Sequence, residues 1–194
     1  KSVPSLAQYV KVRYIGTVSG NTITAMHGDA EAQENLRQIC IREEQPIKYW
    51  PYVACQMKSS DAANGCLSSV GIDVNKLNSC LADPNRGLAY AKEDFELNTK
   101  YNIKGSPTLI LNAKQDGQQI SEYTDFGGRS ADIIKTMICE SSSNPPDFCS
   151  TKLTTEQAAT SFSETYTKEV SGSSSTGNSG IGNSGATSPS CAPA

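Results

Sequence analysis

Gly105-Ser106-Pro107-Thr108-Leu109-Ile110-Leu111 is the stretch on which the reading of the whole chain turns. Thr108 to Leu111 is a short apolar run bounded by loop residues, as a buried strand would be. Proline has no N–H to give to a sheet ladder, so Pro107 fits the entry of that strand and not its interior. A small residue followed by proline in a tight loop is also a setting for a cis peptide bond. Only about 5–6% of X-Pro bonds in folded proteins are cis, so the dipeptide carries little by itself and its place before the strand carries more.

Working outward, Asp116-Gly117 turns the chain into a second strand, Gln119 to Tyr123, and makes a hairpin. Gly127-Gly128 breaks it, Ser130 caps, and Ala131 to Cys139 reads as a closing helix. Upstream of the loop, Pro84 to Tyr101 is the longest helical candidate, with Leu88, Ala91, Phe95 and Leu97 as its apolar positions. Two shorter helices precede it, around Ala62–Val70 and Asp73–Leu81, with Asp73 as an N-cap. Pro46 starts a helix at its favoured first position; Tyr49, Trp50, Val53 and Met57 give it bulk, and Pro51 is expected to bend or split it. Asp29 to Glu44 is helical, with Ala32, Leu36, Ile39 and Cys40 on one face. Val10-Lys11-Val12-Arg13-Tyr14-Ile15 alternates as a strand, and Pro4 to Tyr9 looks like the last turns of a helix.

Charge and composition narrow the function. Seventeen Lys and Arg against twenty Asp and Glu give a net charge of −3, interspersed along the chain, so no basic face invites nucleic acid or an anionic membrane. No apolar run reaches membrane-spanning length. His27 is the one histidine, the cysteines lack metal-ligand spacing, and no metal or organic cofactor is implied. The seven cysteines are Cys40, Cys55, Cys66, Cys80, Cys139, Cys149 and Cys191, scattered in a way that favours an oxidising, extracytoplasmic compartment, secreted or cell-surface. Their odd number leaves at least one thiol unpaired or joined to another molecule. The first residue is Lys1 and no signal peptide is visible, which reads as processing or as a fragment.

Three regions follow: 1–150 as the folded domain, 151–170 as a Thr/Ser-rich linker with a loose helix, and 171–194 as a disordered Ser/Gly-rich tail. In the tail Gly-Asn-Ser-Gly occurs at 177–180 and again at 182–185. The order strand, several helices, hairpin, helix resembles an α/β thioredoxin-like fold with a helical insertion. It lacks the first strand and the start of the first helix.

The motifs carry the resemblance further. Met26-His27-Gly28, then Glu31, Asn35 and Cys40, is similar to the His-Gly…Glu…Asn/Asp…Cys pattern of gamma-interferon-inducible lysosomal thiol reductase. It resembles still more the DsbA-like thioredoxin-fold proteins of archaeal type. Tyr49-Trp50, Cys55, Cys66 and Cys80, then Ser106-Pro107-Thr108, Gly128-Arg129-Ser130, and Cys139…Pro145-Pro146…Cys149 continue it over about residues 10–150. Some members carry a Ser/Gly-rich tail with a late cysteine, as here at Cys191. Two departures stand out: no Cys-x-x-Cys is present, and Thr24-Ala25 stands where many members have a cysteine.

The resemblance implies thiol–disulfide exchange on disulfides of extracytoplasmic proteins, by a Cys-x-x-Cys upstream of the first helix whose thiolate the helix dipole stabilises. Ser106, Pro107 and Thr108 would bind extended segments of protein substrates, and a redox partner protein would recycle the pair. The 194 residues themselves should be inert in that reaction. The alternative is a redox-inactive, thioredoxin-like polypeptide-binding module, or one tethered to a surface through its tail. Cys139–Cys149 is the first candidate for a structural disulfide, Cys55–Cys66 the next, and Cys40–Cys80 the remaining choice. Spacing does not fix the connectivity, and the other reading makes Cys40 a buried free thiol.

Three further groups have two readings each. His27 is a proton shuttle or, preferred, a capping or packing residue. Tyr49, Trp50 and Tyr52 line a groove or, preferred, fill the core. Glu43-Glu44 reads as a solvated face.

Overall fold

The computed structural model describes residues 4–58, 63–111, 118–120, 128, 130–158 and 166–167. A 3₁₀ turn, Pro4–Tyr9, leads into an extended segment and then a hairpin of β1, Thr17–Ser19, and β2, Thr22–Thr24. Helices α1 (Asp29–Glu44), α2 (Pro46–Gln56), α3 (Ala63–Val70) and α4 (Val74–Ala82) follow. A single π-helical turn, Pro84–Leu88, runs into α5, Ala89–Lys100. Strands β3, Leu109–Leu111, and β4, Gln118–Ile120, form a second antiparallel pair, with Leu109 opposite Ile120. Helix α6, Ala131–Glu140, a 3₁₀ turn at Asp147–Ser150, and the short pair β5, Gln157–Ala158, and β6, Tyr166–Thr167, complete the described chain.

The caps explain the boundaries. The Asp73 side chain accepts from the Lys76 amide to start α4, and Ser130 accepts from the Ile133 amide to start α6. Pro46 opens α2 where no intrahelical N–H is needed. Pro51 does not split α2. It lies on the exposed side with Ile47, four residues back, so the carbonyl that loses its donor faces water.

Among the described residues, two hydrophobic clusters form around the helices. The larger joins Cys40 and Ile41 of α1, Tyr49 and Tyr52 of α2, Cys66 and Leu67 of α3, and Leu77 and Cys80 of α4. Tyr49 and Tyr52 are therefore core side chains, with Trp50 half-buried against them. The smaller joins Ile23, Ala32, Ile39, Ala91 and Phe95, and seats the β1–β2 hairpin on α1 and α5. Gly16 fits only because it lacks a side chain: a Cβ there would lie 2.4 Å from the Thr24 carbonyl oxygen and 2.8 Å from the Phe95 ring.

Disulfides Cys40–Cys80 and Cys55–Cys66 staple the helical region, the first within its core, and Cys139–Cys149 ties the end of α6 to the 3₁₀ turn behind Pro145-Pro146. Cys40 and Cys80 are fully buried. The alternative of Cys40 as a free thiol is thus replaced by a pair.

Three expectations change. Val10 to Ile15 joins no ladder among the described residues; side chains of α1 and α5 bond its backbone where a neighbouring strand would. Glu44 is not a solvated residue: its carboxylate is nearly buried and receives Nε and Nη2 of Arg86 at 2.7 and 2.5 Å. Residues 151–158 form no helix and end in β5. The turn at Asp116-Gly117, residues 121–123 of the expected second strand, Gly127, Arg129 and the tail 171–194 with Cys191 lie outside the described residues.

Candidate functional site

The Gly105–Thr108 loop lies on the surface. The Ser106–Pro107 bond is cis, Ser106 and Pro107 are exposed, and half-buried Thr108 donates through Oγ1 to the Gly105 carbonyl at 2.6 Å. Immediately before the loop, Ile103 and Lys104 form one wall of a groove of about 540 Å³. Ile15 and Thr17, Met26 and the Phe95 ring are among the other walls, and Lys104 is the single charged residue lining it among the described residues. The loop and the groove are thus consecutive in the chain. The described residues show no cluster of His, Cys, Asp or Glu able to hold a metal ion.

Behind the groove, the extended segment is held by a buried carboxylate. Asp94, fully buried on α5, accepts from Nη1 and Nη2 of Arg42 at 2.8 and 2.9 Å, from Nη1 of Arg13 at 2.7 Å and from the Tyr14 amide at 3.1 Å. Arg42 also donates to the Val12 carbonyl at 2.6 Å, and Asn98 Nδ2 donates to the Tyr14 carbonyl at 3.2 Å. Burial would lower the Arg42 pKa, but its bonds to Asp94 and Glu43 outweigh that and hold it above the ordinary arginine value. The guanidinium therefore stays charged beside its carboxylate. A chain of hydroxyls continues inward. Tyr14 donates to Gln38 Oε1 at 2.5 Å and meets the Tyr49 hydroxyl at 2.9 Å, while Tyr52 donates to Glu34 at 3.0 Å. Burial pushes the Tyr14 and Tyr49 phenols up, and burial with the Glu34 charge takes Tyr52 to about 12. These tyrosines stay neutral at physiological pH and act as fixed hydrogen-bonding struts.

His27 is exposed at the start of α1. Its amide donates to Glu31 Oε2 at 2.7 Å, and its ring Nδ1 lies 2.9 Å from the same oxygen. That geometry closes the helix entrance, where Gly28 offers no side-chain cap.

All six cysteines among the described residues are joined in pairs. None is left as a thiol within that part of the chain, and no Cys-x-x-Cys occurs anywhere in its 194 residues.

Comparison with known proteins adds a lineage. The sequence profile of the gamma interferon inducible lysosomal thiol reductase (GILT) family matches residues 5–70. The chain is related to that thiol-reductase family over this stretch. It is also similar to vacuolar-sorting receptors of plants. Vacuolar-sorting receptor 1 of Pisum sativum is 30% identical over 112 residues, covering 47% of this chain and 18% of the receptor. Vacuolar-sorting receptor 4 of Arabidopsis thaliana is 31% identical over 102 residues, covering 42% of this chain and 16% of the receptor. The chain thus spans less than a fifth of these relatives' own length. No solved structure matches it significantly.

Of the residues singled out from the sequence, Ser106, Pro107 and Thr108 follow the groove residues Ile103 and Lys104 in the chain without being among its lining residues, and the six cysteines form the three pairs ranked there. Sequence reasoning missed Asp94, Arg42, Arg13 and Lys104. Asp94 did leave a signal: it falls three residues after Ala91 and one before Phe95, inside the apolar stripe of α5. A carboxylate there must be paired with a cation from elsewhere.

Proposed function

We propose that this chain is a polypeptide-binding domain of the extracytoplasmic route, on a thioredoxin-like α/β scaffold. Its cysteines serve structure, and the groove beside Ser106-Pro107-Thr108 serves recognition. The observation that carries this reading is the state of the sulfurs: six of the seven are locked in pairs, and the Cys40–Cys80 pair is wholly buried. Thiol–disulfide exchange needs an accessible thiolate. Binding of extended chain needs only a groove and a rigid frame, and three disulfides favour an oxidising compartment. The similarity to vacuolar-sorting receptors supports a receptor module over a reductase.

The match of residues 5–70 to the GILT family favours a second reading, a thiol reductase of extracytoplasmic proteins. In that chemistry a thiolate attacks a substrate disulfide, and a second thiol resolves the mixed disulfide. Two electrons pass to the substrate, and the enzyme's pair is oxidised.

Two assays on the 194-residue chain separate the readings. With dithiothreitol present, insulin should precipitate no faster when the 194-residue chain is added than when it is left out. Carboxymethylated α-lactalbumin, a permanently unfolded probe, should bind saturably, and Thr99→Trp, which fills the groove from the exposed face of α5, should weaken that binding at least tenfold. Catalysed insulin reduction, or lactalbumin binding indifferent to Thr99→Trp, overturns the proposal.

A further inference from the structure

In the segment Lys11–Ile15 one side of the backbone is bonded by side chains of α1 and α5, and the other side has no hydrogen-bond partner among the described residues. In extended chain, the N–H and C=O of one residue point to the same side, and the next residue's point to the opposite side. Here the even-numbered residues face inward. The Val12 carbonyl receives Arg42, the Tyr14 amide donates to Asp94, and the Tyr14 carbonyl receives Asn98. The odd-numbered residues Lys11, Arg13 and Ile15 carry the outward edge, and their amides and carbonyls have no hydrogen-bond partner among the described residues. This edge ends in the groove, where Ile15 is part of the wall. The buried Asp94–Arg42 pair keeps it straight and in place before any partner arrives.

Charge says what kind of strand fits. Lys11 and Arg13 are exposed along the edge, and Lys104 is the one charged residue among the described residues that line the groove at its end. Asp94, the carboxylate bonded to the Tyr14 amide, is fully buried and paired with two arginines. Among the described residues, the side chains at the outward edge and in the groove that carry charge are thus cations, Lys11, Arg13 and Lys104, while Glu43 is held by Arg42 on the inward side, in a chain whose overall charge is −3.

We propose that Lys11, Arg13 and Ile15 form a β-addition site for an extended acidic peptide, whose carboxylates lie against Lys11 and Lys104 and whose backbone pairs with the open edge. This deepens the polypeptide-binding reading above and rests on it. Main-chain bonds supply affinity that tolerates many sequences, and the cations select among them.

The test uses the full chain and the capped peptide acetyl-Gly-(Val-Glu)₃-Gly-amide, with its Lys-for-Glu counterpart. The acidic peptide should bind at least tenfold more tightly than the basic one, and Lys104→Glu should cut or reverse that preference. Two N-methylated versions probe the edge itself: one methylated at every Val, the other at every Glu. Only one phase of a paired strand aims its N–H groups at the partner, so one version should lose binding and the other keep it. Amide exchange should slow at Arg13 and Ile15 with the unmethylated peptide. Equal tolerance of both versions, or no charge preference, overturns the site. So does sedimentation showing that a second copy of the chain occupies the edge and is displaced by the peptide. If the peptide fails while carboxymethylated lactalbumin still binds in a Thr99→Trp-sensitive way, the edge falls and the polypeptide-binding reading stands. If neither binds, both fall.

Discussion

Replacing Asp94 with Asn should cost more stability than any other single exchange on the polar side of this fold. The carboxylate is fully buried and receives four donors: two from Arg42, one from Arg13 and the Tyr14 amide. An amide of the same size keeps one acceptor oxygen but presents N–H groups to a guanidinium whose side chain is only 12% exposed. Breaking a buried pair by neutralising one partner costs about 3–5 kcal/mol, because the other charge is left without compensation. For a chain of this size each kcal/mol moves Tm by roughly 2–4 °C, so a fall of about 6–20 °C is expected. Trp50, the single tryptophan, packs against the main core and reports the urea transition by fluorescence. Arg13→Met is the control. Its side chain is 35% exposed, so the loss should stay within about 1 kcal/mol. Asp94→Leu combined with Arg42→Met should recover much of the loss, since two apolar side chains leave no buried charge. A cost below about 1 kcal/mol for Asp94→Asn, or an equal cost for Arg13→Met, would refute the view that this carboxylate anchors the extended segment.

Other outcomes follow from the same geometry. Removing Cys40 and Cys80 together should destabilise by about 4 kcal/mol on loop length alone, more than the roughly 3 kcal/mol for either shorter pair, as read from denaturation midpoints of the double Ala variants. Gly87→Ala would place a Cβ 2.7 Å from the Cys80 carbonyl oxygen, and should lower stability by about 1–3 kcal/mol in the same assay. Tyr52 resists ionisation up to about 12 when folded but ionises near 10 when unfolded, so its contribution is intact below pH 10 and fades as pH rises through 12. An alkaline titration of stability should therefore be shallower in Tyr52→Phe. Asp132 is the opposite case. Bonds from Lys135 and the Leu153 amide hold its carboxyl below the usual range, so its contribution is present above its unfolded pKa and lost as pH falls through the folded one. Asp132→Asn should flatten the acid limb of the same curve.

The helical region was the most legible part of the sequence, because its signals are local. Asp73 caps at the residue expected, Pro46 opens its helix, and Tyr49 and Tyr52 are core at helical spacing. The hairpin after Ser106-Pro107 also announced itself by a proline before an apolar run. What failed depended on distant partners. Val10 to Ile15 alternates as a strand does, but whether a strand joins a ladder depends on what lies beside it. Here the neighbours are Arg42, Asp94 and Asn98, from 30 to 84 positions away. Glu44 looked solvated next to Glu43 until Arg86, 42 residues later, closed over it. The groove left no periodic trace, since its walls come from the hairpin, the end of α5 and the approach to the loop.

The disulfides of the helical region are nested: Cys55–Cys66 closes inside the loop that Cys40–Cys80 closes. A protease that cuts between Cys55 and Cys66 therefore does not release a fragment. Both ends remain covalently joined by the inner bridge and again by the outer one, and a nicked chain stays one covalent molecule, heavier only by the water added at the cut, until it meets a reductant. In a compartment rich in proteases and poor in thiols, such a domain can be cleaved there and still travel as one molecule.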